Sequence, residues 1–199
     1  MSRIDELIAK LCPDGVEYRA LSDLISYEQP GKYLVESTNY DGSYPTPVLT
    51  AGQTFVLGYT DEADGIYPAS KDEPVVIFDD FTTAFKWVDF PFKAKSSAMK
   101  MLRPRSTDDM SLRFAFYVMQ TIAYQPQDHA RQWISTYSKF TVPVPPLEVQ
   151  REIVRVLDLF TTLEAELEAE LGARRRQYAH YRDALLTFRE RESSVGSDG

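Results

Sequence analysis

The pair Asp14 and Glu17, followed by Arg19, is the nearest this chain comes to a catalytic constellation. A metal-dependent nuclease gathers carboxylates and a cation around a divalent ion, and these residues are of the right types. The acids stand only three positions apart, however, and arginine occupies the place where such a pattern has lysine, so the reading is set aside. Cys12 is the sole cysteine, which excludes a disulfide within the chain and a cysteine-based zinc site. With His129 and His180 the only histidines, a histidine-rich metal site is excluded too. No glycine-rich dinucleotide or Walker loop is present. The run VPVPPL (Val142 to Leu147) lacks the amide with which an Asn-Pro-Pro-Tyr motif holds an adenine amino group.

Charge is the remaining chemistry. The chain carries a net charge of -8, which argues against a uniformly basic nucleic-acid binder. Its distribution is uneven. Lys86, Lys93, Lys95, Lys100, Arg103 and Arg105 fall in a 20-residue window against one anion, Asp89, while acids gather at Asp61–Asp64, Asp72–Glu73, Asp79–Asp80 and Glu164–Glu170. Such a window is either ordinary surface lysine or a set of phosphate contacts, and composition alone leaves both open.

The elements that must position these residues follow from periodicity. Ser2 with Asp5 three positions on is an imperfect capping box, and Ile4, Leu7, Ile8 and Leu11 share one face of a short helix that Pro13-Asp14-Gly15 stops. The stretch from Val16 to Lys32 is ambiguous between strand and helical turn. From about Tyr33 to Leu102, short runs rich in Val, Thr, Tyr and Phe alternate with Gly, Pro and Asp, the texture of an irregular β-rich domain. Ser111 to Tyr124 reads as a helix with Ser111 at its N-cap, and Gln132 to Pro145 reads as strand. Beyond Pro145-Pro146 the pattern turns helical. Ile153, Val156, Phe160, Leu163 and Leu167 recur at alternating steps of three and four, a coiled-coil seam. Leu171, Tyr178, Tyr181 and Leu185 continue it past a stutter at Leu163-Leu167-Leu171, where two steps of four relax the supercoil. Residues 148 to 188 make a rod roughly 60 Å long at 1.5 Å per residue, more than a small domain can cover. A charged helix folded back on its own domain is the plainer alternative.

The joint between the two textures is itself informative. Proline suits a helix start, where its missing N–H costs nothing, and it holds the preceding residue extended. Pro143, Pro145 and Pro146 therefore predict a rigid elbow, where a flexible linker would be rich in Gly and Ser. Glu148 favours the positive end of the helix that follows.

Four stretches carry a family resemblance: CPDGVEYRALSDL (Cys12 to Leu24), YPTPVLTAGQTFVLGYTDE (Tyr44 to Glu62), VPVPPLEVQREIV (Val142 to Val154) and EAELEAELGARRRQYAHYRDALLTF (Glu164 to Phe188). In this order they resemble the specificity (S) subunit of type I restriction-modification systems. The Pro-Pro-Leu-Glu-x-Gln element between a strand and a long helix is the most specific of them. The resemblance implies an α+β protein, with an irregular β-rich target-recognition domain over residues 1–146 and a long coiled-coil helix over 147–190; the polar composition of the last residues predicts a disordered tail over 191–199. A full S subunit resembles two such units in tandem, whereas this chain has one.

It also implies functions. Lys86, Lys93, Lys95, Lys100, Arg103 and Arg105 become candidate contacts to DNA phosphates or base edges. Thr50, Gln53, Thr54, Thr82 and Thr83, with the aromatics Tyr59 and Trp87, become candidates for base edges and groove packing. Two copies packed antiparallel through the Ile153–Leu185 seam would form a homodimer reading two inverted half-sites of double-stranded DNA across an unread spacer. Methyltransferase (M) subunits would be recruited, and restriction (R) subunits would join through the complex. S-adenosylmethionine, ATP and magnesium would belong to those partners, leaving this chain non-catalytic and without a cofactor of its own. The second reading is an assembly or decoy protein that binds methyltransferase subunits without reading DNA. No apolar signal region opens the chain and no run of about 18 apolar residues occurs, so a cytoplasmic protein is expected.

Overall fold

A computed structural model describes residues 2–52 and 54–188. These fall into two units, one ending at Val154 and one starting at Arg155.

Helix α1 (Arg3–Leu11) opens the first unit with a complete capping box. The Asp5 N–H donates to Ser2 Oγ at 3.3 Å and the Ser2 N–H donates to Asp5 Oδ2 at 2.9 Å, so aspartate suffices where glutamate is usual. Gly15 then turns the chain at φ +94°, a backbone state that favours glycine. Strand β1 (Glu17–Ala20) follows and pairs antiparallel with β9 (Thr141–Val144), bringing the start of the unit beside the elbow. Between them in sequence lie α2 (Leu21–Leu24), β2 (Ile25–Glu28), β3 (Thr46–Leu49), β4 (Val56–Thr60), β5 (Val75–Asp79), β6 (Phe85–Val88), β7 (Lys93–Ala94), β8 (Met99–Pro104), α3 (Leu112–Gln120) and α4 (Gln132–Ser135).

Two further sheets build the centre. One is antiparallel in the order β2-β8-β5-β6, and the other, β4-β3-β7, pairs β3 antiparallel with β4 and parallel with β7. Strand β5 is covered on both faces, which is why its sequence Val-Val-Ile-Phe is a continuous apolar run. Alternation sends Val76 and Phe78 into one core with Phe114, Val118, Trp133 and Tyr137. It sends Val75 and Ile77 into the other with Leu49, Tyr67 and Phe92.

Two sequence expectations need correction. The stretch Gln132–Phe140, read as strand, folds as α4 and a 3-10 turn over Tyr137–Lys139; only Thr141–Val144 is extended. Tertiary packing decides this, because Trp133 and Tyr137 must both reach Phe78, and one helical turn puts them on the same side. Helix α3 also ends earlier than expected, at Gln120, where the Thr121 hydroxyl donates to the Val118 carbonyl.

The last element, α5 (Leu147–Leu186), runs for 40 residues. Its first two turns belong to the first unit, where Val149 packs with Leu7 and Cys12. No helix among the described residues is long and apolar enough to cross a membrane. The expected tail over 191–199 lies outside the described residues.

Candidate nucleic-acid interface

The basic window does not face one way. Lys100, on β8, points into the first core beside Phe78 and Leu102 and is 1% exposed. Its ammonium lies 3.0 Å from Asp80 Oδ2 and 4.6 Å from the centre of the Tyr27 ring. Asp80, equally buried, also accepts the Trp133 backbone N–H at 2.7 Å. Lys93, on β7, is buried too: it pairs with Glu62 and donates to the Asp64 carbonyl at 2.8 Å. Neither lysine can reach a phosphate as placed. Both are corrected here from candidate contacts to counter-ions of buried acids, since burying one charge requires the other.

Burial drives the Glu62 carboxyl upward, but Lys93 and the Ser37 and Glu36 backbone N–H groups outweigh it and hold the carboxyl below the ordinary range. Burial likewise pushes the Tyr67 hydroxyl upward, against the opposing pull of Arg103.

The remaining candidates fall into three groups. On the three-stranded sheet, the Lys95 ammonium donates to the Tyr40 hydroxyl at 3.0 Å, and the Lys95 backbone donates to Leu49, next to Thr50. Exposed Thr54 and Tyr59 belong to the adjoining β3–β4 hairpin. Thr50 closes that hairpin by donating its hydroxyl to the Thr54 carbonyl. Gly58 lies under Tyr40, and a Cβ there would stand 2.7 Å from the tyrosine Cβ, so glycine is what lets Tyr40 lie flat beside Lys95. Gln53 lies outside the described residues.

A second group occupies the β5–β6 hairpin. Thr82 and Lys86 are exposed, whereas Thr83 is buried, with φ +57° in the tight turn. The Asp79 carboxylate accepts the backbone N–H groups of Phe81 and Thr82 and shapes that turn. Thr83 is therefore corrected from a base-edge candidate to a turn residue. Trp87, on the edge strand β6, is half-buried against Phe116 and covered by the Arg113 guanidinium at 4.7 Å from its ring centre. Arg113 was missed because it lies outside the basic window. The signal available was its spacing, three and four residues before Phe116 and Tyr117 on one helix.

The third group, Arg103 and Arg105, leaves the end of β8. Arg103 Nε donates to the Tyr67 hydroxyl at 3.1 Å, and Arg105 Nε donates to the Ser22 carbonyl at 2.9 Å. Of the acid-rich trio considered first, Arg19 pairs with Asp109 at 3.2 Å.

The elbow has a buried fastener, the last residue of its Pro-Pro-Leu-Glu-x-Gln element. Gln150 is fully enclosed at the start of α5. Its Oε1 accepts the Ser111 N–H at 3.0 Å, and its Nε2 donates to the Asp109 and Pro145 carbonyls at 2.7 and 2.9 Å. One amide thus ties the helix to the α3 N-terminus and to the prolines, which is why this position demands both a donor and an acceptor.

Of the seam, Ile153 is partly buried and packs against the first unit's cores. Val156 is half-buried. Phe160, Leu163, Leu167, Leu171, Tyr178, Tyr181 and Leu185 are exposed, from 47% at Leu163 to 72% at Leu185. So long an apolar stripe in water is unusual for a finished surface.

The sequence of strands, elbow and long helix is matched elsewhere. A model of the type I restriction modification DNA specificity domain family matches residues 13–173. The chain belongs to that family. The EcoR124I/EcoR124II type I restriction enzyme specificity subunit of Escherichia coli is 51% identical over 203 residues, spanning 96% of this chain and 49% of the relative. A putative type I specificity subunit of Haemophilus influenzae is 24% identical over 188 residues, spanning 88% and 47%. This family member therefore spans about half the length of the curated relatives it matches. The crystal structure of a type I S subunit from M. genitalium superposes with a TM-score of 0.62 at 15% identity, covering 87% of this chain and 47% of that one. That likeness is one of fold, and it supports the α+β architecture with a long C-terminal helix.

Proposed function

We propose that this specificity-family chain reads DNA sequence for a type I restriction-modification complex and does no chemistry itself. Two copies pair antiparallel through α5, so that two recognition units read the halves of a split inverted repeat. Methyltransferase subunits are recruited by the pair, restriction subunits join through them, and the methyl donor, ATP and magnesium reside in those partners. Lys86, Lys95, Arg103, Arg105 and Arg113 are the cations offered to DNA, with Thr54, Tyr59 and Thr82 as polar and aromatic contacts. The observation that carries the reading is the 51% identity to a specificity subunit of which this chain spans 49%. The exposed stripe on α5 supports the pairing, because a second copy would cover it.

The test is methylome sequencing of cells expressing this chain with the methyltransferase subunit of its system, paired with light scattering on the purified chain. A split palindromic methylation motif and a dimer are expected. Methylation without sequence preference would remove the recognition role, and a concentration-independent monomer would remove the pairing.

A further inference from the structure

We infer that the loop of residues 125–131, between α3 and α4, is a second DNA-contacting element beside the tip of the β5–β6 hairpin. In it, Gln127 reads the edge of an adenine and Arg131 holds a phosphate. This rests on the DNA-reading function proposed above and adds to it a site outside the basic window.

The loop is held firmly from beneath. Gln132 is 2% exposed. Its Oε1 accepts the Tyr124 hydroxyl at 2.7 Å, and its Nε2 donates to Asp128 Oδ1 at 2.8 Å and to the Ala130 carbonyl at 2.9 Å. One buried amide thus clamps both ends of the loop. Its own backbone N–H donates to the Asp80 carbonyl at 2.7 Å, beside the hairpin turn. Gln125, Gln127, His129 and Arg131 are nevertheless exposed, and none belongs to either core. The fastening therefore serves what the loop presents. A polar loop ordered in advance loses little entropy on binding, and recognition side chains gain from such support.

Its surroundings suit a nucleic acid. A cleft of about 370 Å³ between loop and hairpin is lined by Phe81, Thr82, Pro126, Gln127, Asp128 and His129. The Phe81 and His129 rings meet edge to face, 6.1 Å apart, so the two pieces touch. Thr82, offered to DNA from the hairpin, shares this edge with Gln127. The carboxylates nearby are engaged by N–H groups. Asp79 Oδ1 accepts those of Phe81 and Thr82, and Asp128 Oδ1 accepts those of Gln132 Nε2 and the Ala130 backbone. Asp80 is buried and paired with Lys100 at 3.0 Å. The Arg131 guanidinium, 3.8 Å from the same Asp80 oxygen and about half exposed, is the surplus cation of that trio. A cation beside hydroxyl and amide groups fits a phosphate flanked by a base edge. Gln127 Nε2 donates one N–H to the Gln125 carbonyl at 3.1 Å, which sets the plane of the amide. Its second N–H and its Oε1 form the donor–acceptor pair that matches adenine N7 and N6.

Variants of the full chain, each expressed with the methyltransferase subunit of its system, test this against the parent. The parent's methylome fixes the motif, and a parent that methylates without sequence preference overturns the reading function on which the loop depends. Given a motif, Gln127→Ala should relax one A·T position in each half-site by at least about fivefold, as loss of a bidentate base contact requires, while the other positions hold. A motif that Gln127→Ala leaves unchanged overturns the base contact and spares the reading function. For Arg131, DNA binding by the assembled complex is measured across salt. Arg131→Ala should lower the salt slope by about one with the motif unchanged, and Arg131→Lys, which keeps the charge, should restore it. A slope that Arg131→Ala leaves unchanged overturns the phosphate contact. Thermal melts of the purified variants separate binding from folding: Lys100 still neutralises Asp80, so Arg131→Ala should melt close to the parent. Early melting with an unchanged slope would assign Arg131 to the fold alone.

Discussion

Replacing Lys100 by alanine separates a structural lysine from a DNA-contacting one. The ammonium and the Asp80 carboxylate lie 3.0 Å apart, each 1% exposed, so removing the cation leaves a buried carboxylate without its nearest counter-charge. Breaking a buried pair in this way costs about 3–5 kcal/mol. Two features place the loss toward the lower end of that range. The Arg131 guanidinium remains 3.8 Å from the same Asp80 oxygen, and the Trp133 N–H still donates to the other. A loss of about 3 kcal/mol corresponds to a fall in Tm of roughly 6–12 °C for a domain of this size. Equilibrium urea denaturation followed by tryptophan fluorescence measures it, since Trp133 stacks on Tyr137 in the same core. The double variant Lys100→Met with Asp80→Asn carries no stranded charge and keeps an acceptor for Trp133, so it should recover most of the loss. A single variant within about 0.5 kcal/mol of the parent, the range of an ordinary surface substitution, would refute the buried-pair argument. So would a double variant no more stable than the single one.

Three shorter predictions follow from the same geometry. Gln150→Leu strands the Ser111 N–H and two carbonyls, and at about 1–3 kcal/mol per buried unsatisfied group it should destabilise by at least 2 kcal/mol in the same urea assay. Lys95→Ala should leave stability within about 0.5 kcal/mol yet lower the salt slope of DNA binding by the assembled complex by about one, as loss of one phosphate contact requires. Glu62 titrates below its ordinary value of 4.5 in the fold, so its contribution is complete above that value and is lost as pH falls through the lowered one. Glu62→Gln should therefore flatten the part of the stability profile lying below pH 4.5, measured by thermal melts across pH; an unchanged acid limb would refute the assignment.

Periodicity and local chemistry carried much of the fold into view. The Ser2 cap, the Gly15 stop, the proline elbow and the 3,4 repeat of α5 are legible because each depends on residues within a few positions of one another. The Gln132–Phe140 stretch was misread for the opposite reason. Its β-prone residues follow the packing of Trp133 and Tyr137 on Phe78, more than fifty positions earlier.

The candidate interface divides in the same way. Residue types alone placed the cations in one window and marked the seam, because charge and spacing are properties of the chain. Which cations face outward was settled only when β8 and β7 took their places in the sheets. Strand alternation turned Lys100 toward Asp80, and the pairing of β7 with β3 enclosed Lys93 near Glu62. Burial depends on partners distant in sequence, so a lysine reads alike whether it meets water, a phosphate or a hidden carboxylate. Gln150 shows the same limit at the elbow. The prolines announce that the chain turns there, and only the folded loop at Asp109–Ser111 reveals what locks the turn.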